Sequence, residues 1–529
     1  MRKVSIILGV LVAAMSFNAC TKEDFSENYA NPSKVSTTTL DKQFAGLLYS
    51  NREYVLPAYW NYYVVLRSTL NHYTQAVGWV NSDNQYVPGA AAITDRWINF
   101  YSFLTQYREM EKINNTLSDT EKANYKIFMI AGKIYLYDHL QKVVDLHGDI
   151  PFTEAGMLST NNGDYIGSLP KYDTAKSIYT KMMDDLKSIS EELNTMSVPT
   201  GIQTAFKKQD FVNNGDVSKW KMYCNSLRLR ILTRVSATSD FQSRAQAEIA
   251  AILANPTLYP LIANNAQNVQ IKVNDLSTEI NSIGFRSGLE DDNGNLAGKA
   301  IIDHMVTNED PRLRVMFEPG INAAPNSYLG LDPLGLSATQ TTQVNSGVVS
   351  RYNTATFSRN QYFPGVLINA AEVNLLKAEA YLNASNDAMA KASYEAAISQ
   401  SVNYYYSIRA LSADAGTAPT LVPLNQNEIT TYLQKSNINW DNATTKAQKL
   451  ALIATQKWLH FSVVQLHESW AEIRRLGLPS LSFKPDTANA LTLPPNRWIY
   501  PTSEITGNSA NYQAVKANDN LTNKLFWAK

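Results

Sequence analysis

Trp79, Asn81, Asp83, Asn84 and Tyr86 crowd into one short stretch, GWVNSDNQY. Two aromatic rings beside amides and a carboxylate are equipment for holding a neutral, polar ligand such as a sugar. A ring stacks on an apolar C–H face, and the polar groups take the hydroxyls at its rim. Tyr328, Arg351, Tyr352 and Tyr362 offer the same mixture in a second stretch. These residues are the candidate ligand-binding set, although for any single aromatic ring packing in a core is the commoner fate. Motifs for breaking bonds fail on inspection. Gly294-Asn295-Leu296-Ala297-Gly298-Lys299-Ala300 approximates a phosphate loop, but Ala300 stands where a hydroxyl must reach magnesium. His467-Glu468 lacks a second histidine at zinc-binding spacing, and His460 with His467 on one helix reads as structural. Asp291-Asp292-Asn293-Gly294-Asn295 has the composition of a calcium loop without its alternating ligands, and reads as an Asx-rich turn. No Gly-x-Ser-x-Gly elbow is present. The expectation is a binding protein, not an enzyme, without cofactor or metal. A glycosidase needs only two carboxylates, which any part of the chain could supply, so that alternative stays open.

The elements that must position these residues are mostly helical. Leu40 to Arg67 and Asp95 to Leu117 repeat apolar and aromatic residues at helical spacing, and His72 to Ala92 between them reads as an ordered loop. Further helices are predicted at Glu121 to Leu146, ending at Gly148 and Pro151, at Tyr172 to Leu193, at Val217 to Ser236 with Asp216 as N-cap, and at Asp240 to Ala254. Residues 255 to about 365 are rich in Asn, Gly, Pro and Thr, with helical signal only at Lys299 to Asn308; such an irregular insert is a candidate binding surface. Leu367 to Leu382 and Ala388 to Tyr405 flank a short Asn383–Asn386 turn and resemble a tetratricopeptide repeat, with alanines that allow close approach. Glu121–Leu146 with Tyr172–Leu193 has the same two-helix plan. A last strong helix is predicted from Ala447 to Leu476.

Composition narrows the partners. The 529 residues carry 47 basic and 47 acidic side chains, so no basic excess recommends nucleic acid. Only 18% of residues are charged, against 29 Tyr and 9 Trp, a balance suited to neutral polar ligands. Of two cysteines, Cys224 sits in a helical pattern and reads as a small buried hydrophobe.

The first residues have a separate job. Arg2 and Lys3 lead an apolar run from Val4 to Met15, too short to span a bilayer but of signal-peptide length. Ser16-Phe17-Asn18-Ala19-Cys20 resembles the lipobox of bacterial lipoproteins, with Cys20 as the lipid-bearing residue. Lys22-Glu23-Asp24 resembles the surface-export signal of Bacteroidetes lipoproteins. The expected organisation is a signal peptide at 1–19, a lipidated tether at 20–38 and a single helical body at 39–529.

Motifs along that body resemble one family. His147-Gly148-Asp149-Ile150-Pro151-Phe152-Thr153-Glu154-Ala155 is followed by Tyr172-Asp173-Thr174-Ala175, then by Trp220 with Asn225-Ser226-Leu227-Arg228-Leu229-Arg230 and Arg234. Asp310-Pro311-Arg312, Glu372 with Lys377-Ala378-Glu379, Glu468-Ser469-Trp470-Ala471-Glu472 and Arg497-Trp498 continue the series. In this order they resemble the SusD/RagB family of outer-membrane nutrient-binding lipoproteins. The resemblance implies an all-α fold of tetratricopeptide-like helix pairs with long irregular loop insertions on one face. It also implies a surface-exposed, lipid-anchored protein that captures an oligosaccharide and passes it to a SusC-like TonB-dependent transporter. A peptide- or protein-binding repeat scaffold is the alternative. The motifs themselves read as scaffold: Asp149, Glu154, Arg228, Arg230 and Arg475 are expected in ion pairs and hydrogen bonds that join helices to loops.

Overall fold

A computed structural model describes residues 38–273, 280–414 and 418–529. Cys20, the segment 1–19 and nearly all of the 20–38 tether lie outside the described residues.

The body is helical. Helix α1 spans Leu40–Ser50, α2 Ala90–Thr116, α3 Asp119–His147, α4 Ala175–Glu192 and α5 Val217–Val235. A capping box starts α3, with Ser118 and Glu121 exchanging hydrogen bonds, and Gly148 at a φ of 80° stops it. Most of the second half of α3 is buried all round, as befits a helix running through the middle of a core. Asp216 caps α5 through the amides of Ser218 and Lys219, as its sequence predicts. The two-residue turn between α2 and α3 makes them an antiparallel pair, whereas α4 packs chiefly on α5. The pairing expected between the Glu121 and Tyr172 segments is therefore the lesser contact.

The second half of the body is built on α6, Ala370–Asn383, and α7, Asp387–Leu411, each capped by an asparagine, Asn369 and Asn386. This pair makes the most extensive helix–helix contact of the fold. Buried Ala378, Ala390 and Ala397 let it close. The helix expected from Ala447 to Leu476 is two: α8, Lys446–Phe461, and α9, Leu466–Leu476. Ser462, at a φ of 39°, breaks the run and redirects α9. Among the described residues strands appear only as two-stranded pairs: Ile150–Pro151 with Tyr172–Asp173, Val269–Ile271 with Gly365–Ile368, and Phe317–Glu318 with Arg351–Tyr352. Tyr172 thus belongs to a strand, and α4 starts at Ala175.

Buried charge ties the two halves together. Arg230 on α5 contacts Asp138 of α3 at 3.0 Å and Glu372 of α6 at 2.5 Å. One turn on, Arg234 meets Asp145 of α3 and Glu468 and Glu472 of α9. Arg475 and Lys457 complete the network on Glu379 and Glu472. Asp149 accepts a hydrogen bond from the Ala175 amide at the start of α4, and Arg228 pairs with Glu248. Glu154 reaches Lys171 at the surface. The family motifs are therefore sutures between helices. Cys224 is buried against the Leu186 carbonyl, and burial pushes its thiol pKa up to about 12. Among the described residues no helix is long and apolar enough to cross a membrane.

Candidate functional site

The helical period expected through Arg67 stops early. After α1 come a 3-10 turn at Arg52–Tyr54, Pro57, and a π-helical turn over Asn61–Leu66. π-turns are rare, and many of them occur at functional sites. This one sorts adjacent aromatic residues onto opposite sides. Tyr62 turns inward, its ring 4.6 Å from Phe285 and its hydroxyl on the Val463 carbonyl. Tyr63 turns outward, stacks on Tyr59 at 5.1 Å and 15°, and carries the Arg67 guanidinium 4.2 Å over its ring. A short helix, Phe285–Glu290, braces the segment. Gly288 gives the segment room, since a Cβ would lie tightly at 3.0 Å from the Tyr62 Cβ and 3.2 Å from the Tyr59 Cα.

Arg67 opens onto a cavity of about 270 Å³, lined by Arg67, Ser68, His72, Trp79, Asp292 and Asn293 among others. Asp292 accepts hydrogen bonds from the Tyr63 hydroxyl at 2.7 Å and from Arg67 at 2.8 Å. Those bonds, Tyr63's first, hold its carboxyl below the usual aspartate range. Asp292 and Asn293 both have positive φ, within the Asx-rich turn expected from the sequence. Opposite them Trp79 stacks on His72 at 4.5 Å and 17°, and its indole N–H donates to Gln85. Burial, with a smaller push from Arg67, brings the His72 pKa down to about 4, so the imidazole is neutral at physiological pH. Gly78 permits this approach: a Cβ there would stand 2.5 Å from the Ala297 carbonyl oxygen. The cavity thus offers a fixed indole, a guanidinium, a carboxylate and an asparagine side by side. Among the described residues no cluster of ligating side chains suits a metal ion.

The other candidates take several places. Asp83 and Asn84 are exposed at the loop tip, the Asn84 amide bonded to Asp486. Asn81 is buried, donating its side-chain amide to the carbonyls of Pro333 and Gly335. It clamps the loop to the insert. Tyr86 is fully buried, with its hydroxyl on the Lys484 carbonyl, so in this structure its ring is a packing element. Tyr352 is likewise in the core beneath the loop, donating to the Ala76 carbonyl at 2.6 Å. Arg351 and Tyr328 are half-buried, and Tyr362 packs against the other core, on helices α1 to α5. The structure thus joins the 72–92 loop to the insert, through Val77 with Ala297 and Asn81 with Pro333 and Gly335, but leaves Tyr362 apart. Sequence reasoning missed Tyr63, Arg67 and Asp292.

Over residues 32–501 the chain matches the SusD-like family described as starch-binding, associating with outer membrane. A SusD homologue of Bacteroides fragilis superimposes with a TM-score of 0.74 at 20% identity, covering 93% of this chain and 100% of that one. A SusD-like protein of a Bacteroidetes strain, AC2a, gives 0.72 at 19%, with 93% and 100% covered. A chitin-binding protein gives 0.70 at 21%, with 92% and 99% covered. At these identities the likeness is one of fold. No curated protein sequence matches the chain.

Proposed function

Since this chain belongs to the SusD-like family, we propose that it is a non-catalytic outer-membrane lipoprotein that captures an oligosaccharide at the cell surface. It would hand its cargo to a SusC-like TonB-dependent transporter, with Cys20 bearing the lipid. The cavity between Trp79 and the Arg67–Asp292 pair carries the reading. A sugar entering the cavity meets Arg67 as a donor, Asp292 as an acceptor and Asn293 as both, against a wall formed by Trp79, which is only 8% exposed and backed by His72. Asp83 and Asn84, exposed on the adjoining loop, would extend the rim. Preorganised stacking with a few polar contacts suits a carrier that must release what it binds. The starch-binding description of the family and the chitin-binding neighbour support a glycan as ligand.

Calorimetry against gluco- and chito-oligosaccharides tests the proposal. Trp79→Ala is expected to weaken binding by roughly 1–3 kcal/mol, the range for base–aromatic stacking, with circular dichroism confirming intact helices. A parent protein that binds no saccharide but retains peptides would move the reading to a peptide-binding scaffold.

A further inference from the structure

Nearly every aromatic ring among the described residues is packed. Among the described residues four are exposed, Tyr49, Tyr59, Trp60 and Tyr165, and the first three line one cleft. That cleft, about 990 Å³, lies between the end of α1 and the turn at Ile280–Gly284, with Arg52, Glu53 and Asn281 among its lining residues. Exposures of 49%, 37% and 50% for Tyr49, Tyr59 and Trp60 are large for side chains of this size.

We propose that this cleft is a second saccharide subsite, linked to the Trp79 cavity by the contacts of Tyr59 with Tyr63 and Tyr63 with Arg67, so that the protein takes an extended oligosaccharide of several units. The inference rests on the glycan-binding reading above. Two observations carry it. Two of the three rings are preorganised: Arg52 lies 3.7 Å over the Tyr49 ring and donates to the Tyr49 carbonyl, while Tyr63 backs one face of Tyr59. Rigid rings with a charged rim bind a sugar with little ordering cost. The two sites also share one spine. Tyr59 stacks on Tyr63, Tyr63 carries Arg67, and Arg67 with its partner Asp292 lines the Trp79 cavity. A ligand stacked at Tyr59 and Trp60 therefore has a path of ring and guanidinium surface toward the first site. Short sugars would occupy the cavity alone, and longer ones would reach the cleft.

A length series from disaccharide to heptasaccharide, of both malto- and chito-oligosaccharides, titrated by calorimetry into the parent, Trp60→Ala, Tyr49→Ala and Trp79→Ala, tests this. The parent should bind the longest sugars more tightly than the disaccharide. Trp60→Ala should weaken heptasaccharide binding by about tenfold to a hundredfold and leave disaccharide binding unchanged; Trp79→Ala should weaken both. Because Trp60 and Tyr49 are exposed, both variants should keep the parent's melting temperature. If saccharides bind the parent but Trp60→Ala and Tyr49→Ala leave every length unaffected, the second subsite is refuted and the first stands. Unaltered saccharide binding with loss of co-purification of the transporter would overturn it in favour of a protein-docking face. No saccharide binding by the parent would overturn the glycan reading and this inference with it.

Discussion

Arg234 offers a direct test of how the scaffold is held. Its guanidinium is fully buried, 3.2 Å from Asp145 and 2.5 Å from each of Glu468 and Glu472. In Arg234→Met the three carboxylates fare differently. Glu472 keeps Arg475 and Lys457, and Glu468 keeps Arg230 at 3.8 Å. Asp145 has no other cation in ion-pair contact among the described residues and retains the Tyr179 hydroxyl at 2.6 Å. Removing one partner of a buried pair costs about 3–5 kcal/mol, because the stranded charge stays desolvated. At ~2.1 cal/mol/K of unfolding entropy per residue, a body of this length has about 1 kcal/mol/K, so the melting temperature should fall by about 3–5 °C. The pH dependence identifies the cause. Burial already holds the Asp145 pKa above its usual value, against the pull of Arg234. Without that cation it rises further. A carboxyl whose folded pKa is raised stabilises the fold at pH values below its unfolded pKa and loses that contribution as pH climbs through the folded value. The deficit of the variant relative to the parent should therefore be full at pH 7.5 and shrink on acidification, by about 1.4 kcal/mol per unit for each group that protonates only in the folded state. Calorimetric melting of both proteins from pH 7.5 to 4.5 measures it. An unchanged melting temperature, or a deficit constant with pH, would refute the account of α5 as an electrostatic suture.

Acid should weaken the parent through its histidines. Burial brings His147 down to about 3, and His460 likewise to about 3. A depressed histidine contributes stability that is complete above its unfolded pKa of ~6.5 and is lost as pH falls below it, about 2 kcal/mol per residue at pH 5. His147→Phe, placed among Trp97, Trp498 and Tyr500, should lower the stability difference between pH 7 and pH 5, read by denaturant unfolding. Equal pH dependence in the two proteins would count against a neutral His147. At the other end of the chain, Cys20→Ala should abolish labelling by a fatty-acid analogue and release the protein from the outer membrane; label retained in the variant would disprove the lipobox reading.

What could be read from the sequence follows from how local each signal is. Helix ends were legible where caps are local, Asp216 before α5 and Gly148 after α3, whereas Asn369, the cap of α6, falls inside the helix expected from Leu367. The family motifs were legible as scaffold because arginines and glutamates spaced along helices have few reasons to be there besides pairing. Ser462 was not, since a serine at positive φ leaves no compositional trace and only the packing of α9 enforces it. Composition marked the 72–92 loop as ligand-facing, yet it could not separate Trp79 from Tyr86. Trp79 lines the cavity and Tyr86 is sealed because Lys484 and Asp486, some four hundred residues away in sequence, fold over that end of the loop.

The stretch from Pro57 to Arg67 shows where a sharper reading was available. Taken as apolar periodicity it extends α1, and every ring in it becomes core. The pairs Tyr59-Trp60 and Tyr62-Tyr63 are adjacent, however, and neighbouring side chains on a helix diverge by about 100°, so one apolar face cannot bury both members of each pair. Pro57 ahead of them denies the continuous helix that the periodicity assumed. Together these features require a break in the helix and rings left over, which the structure provides as a π-turn with Tyr59, Trp60 and Tyr63 facing out. Surplus aromatic residues at a helix break are costly to leave in water, and in this chain they adjoin an arginine and an aspartate already fixed to each other. That coincidence of exposed rings with preset polar partners is the ground on which the segment is proposed as part of a binding surface.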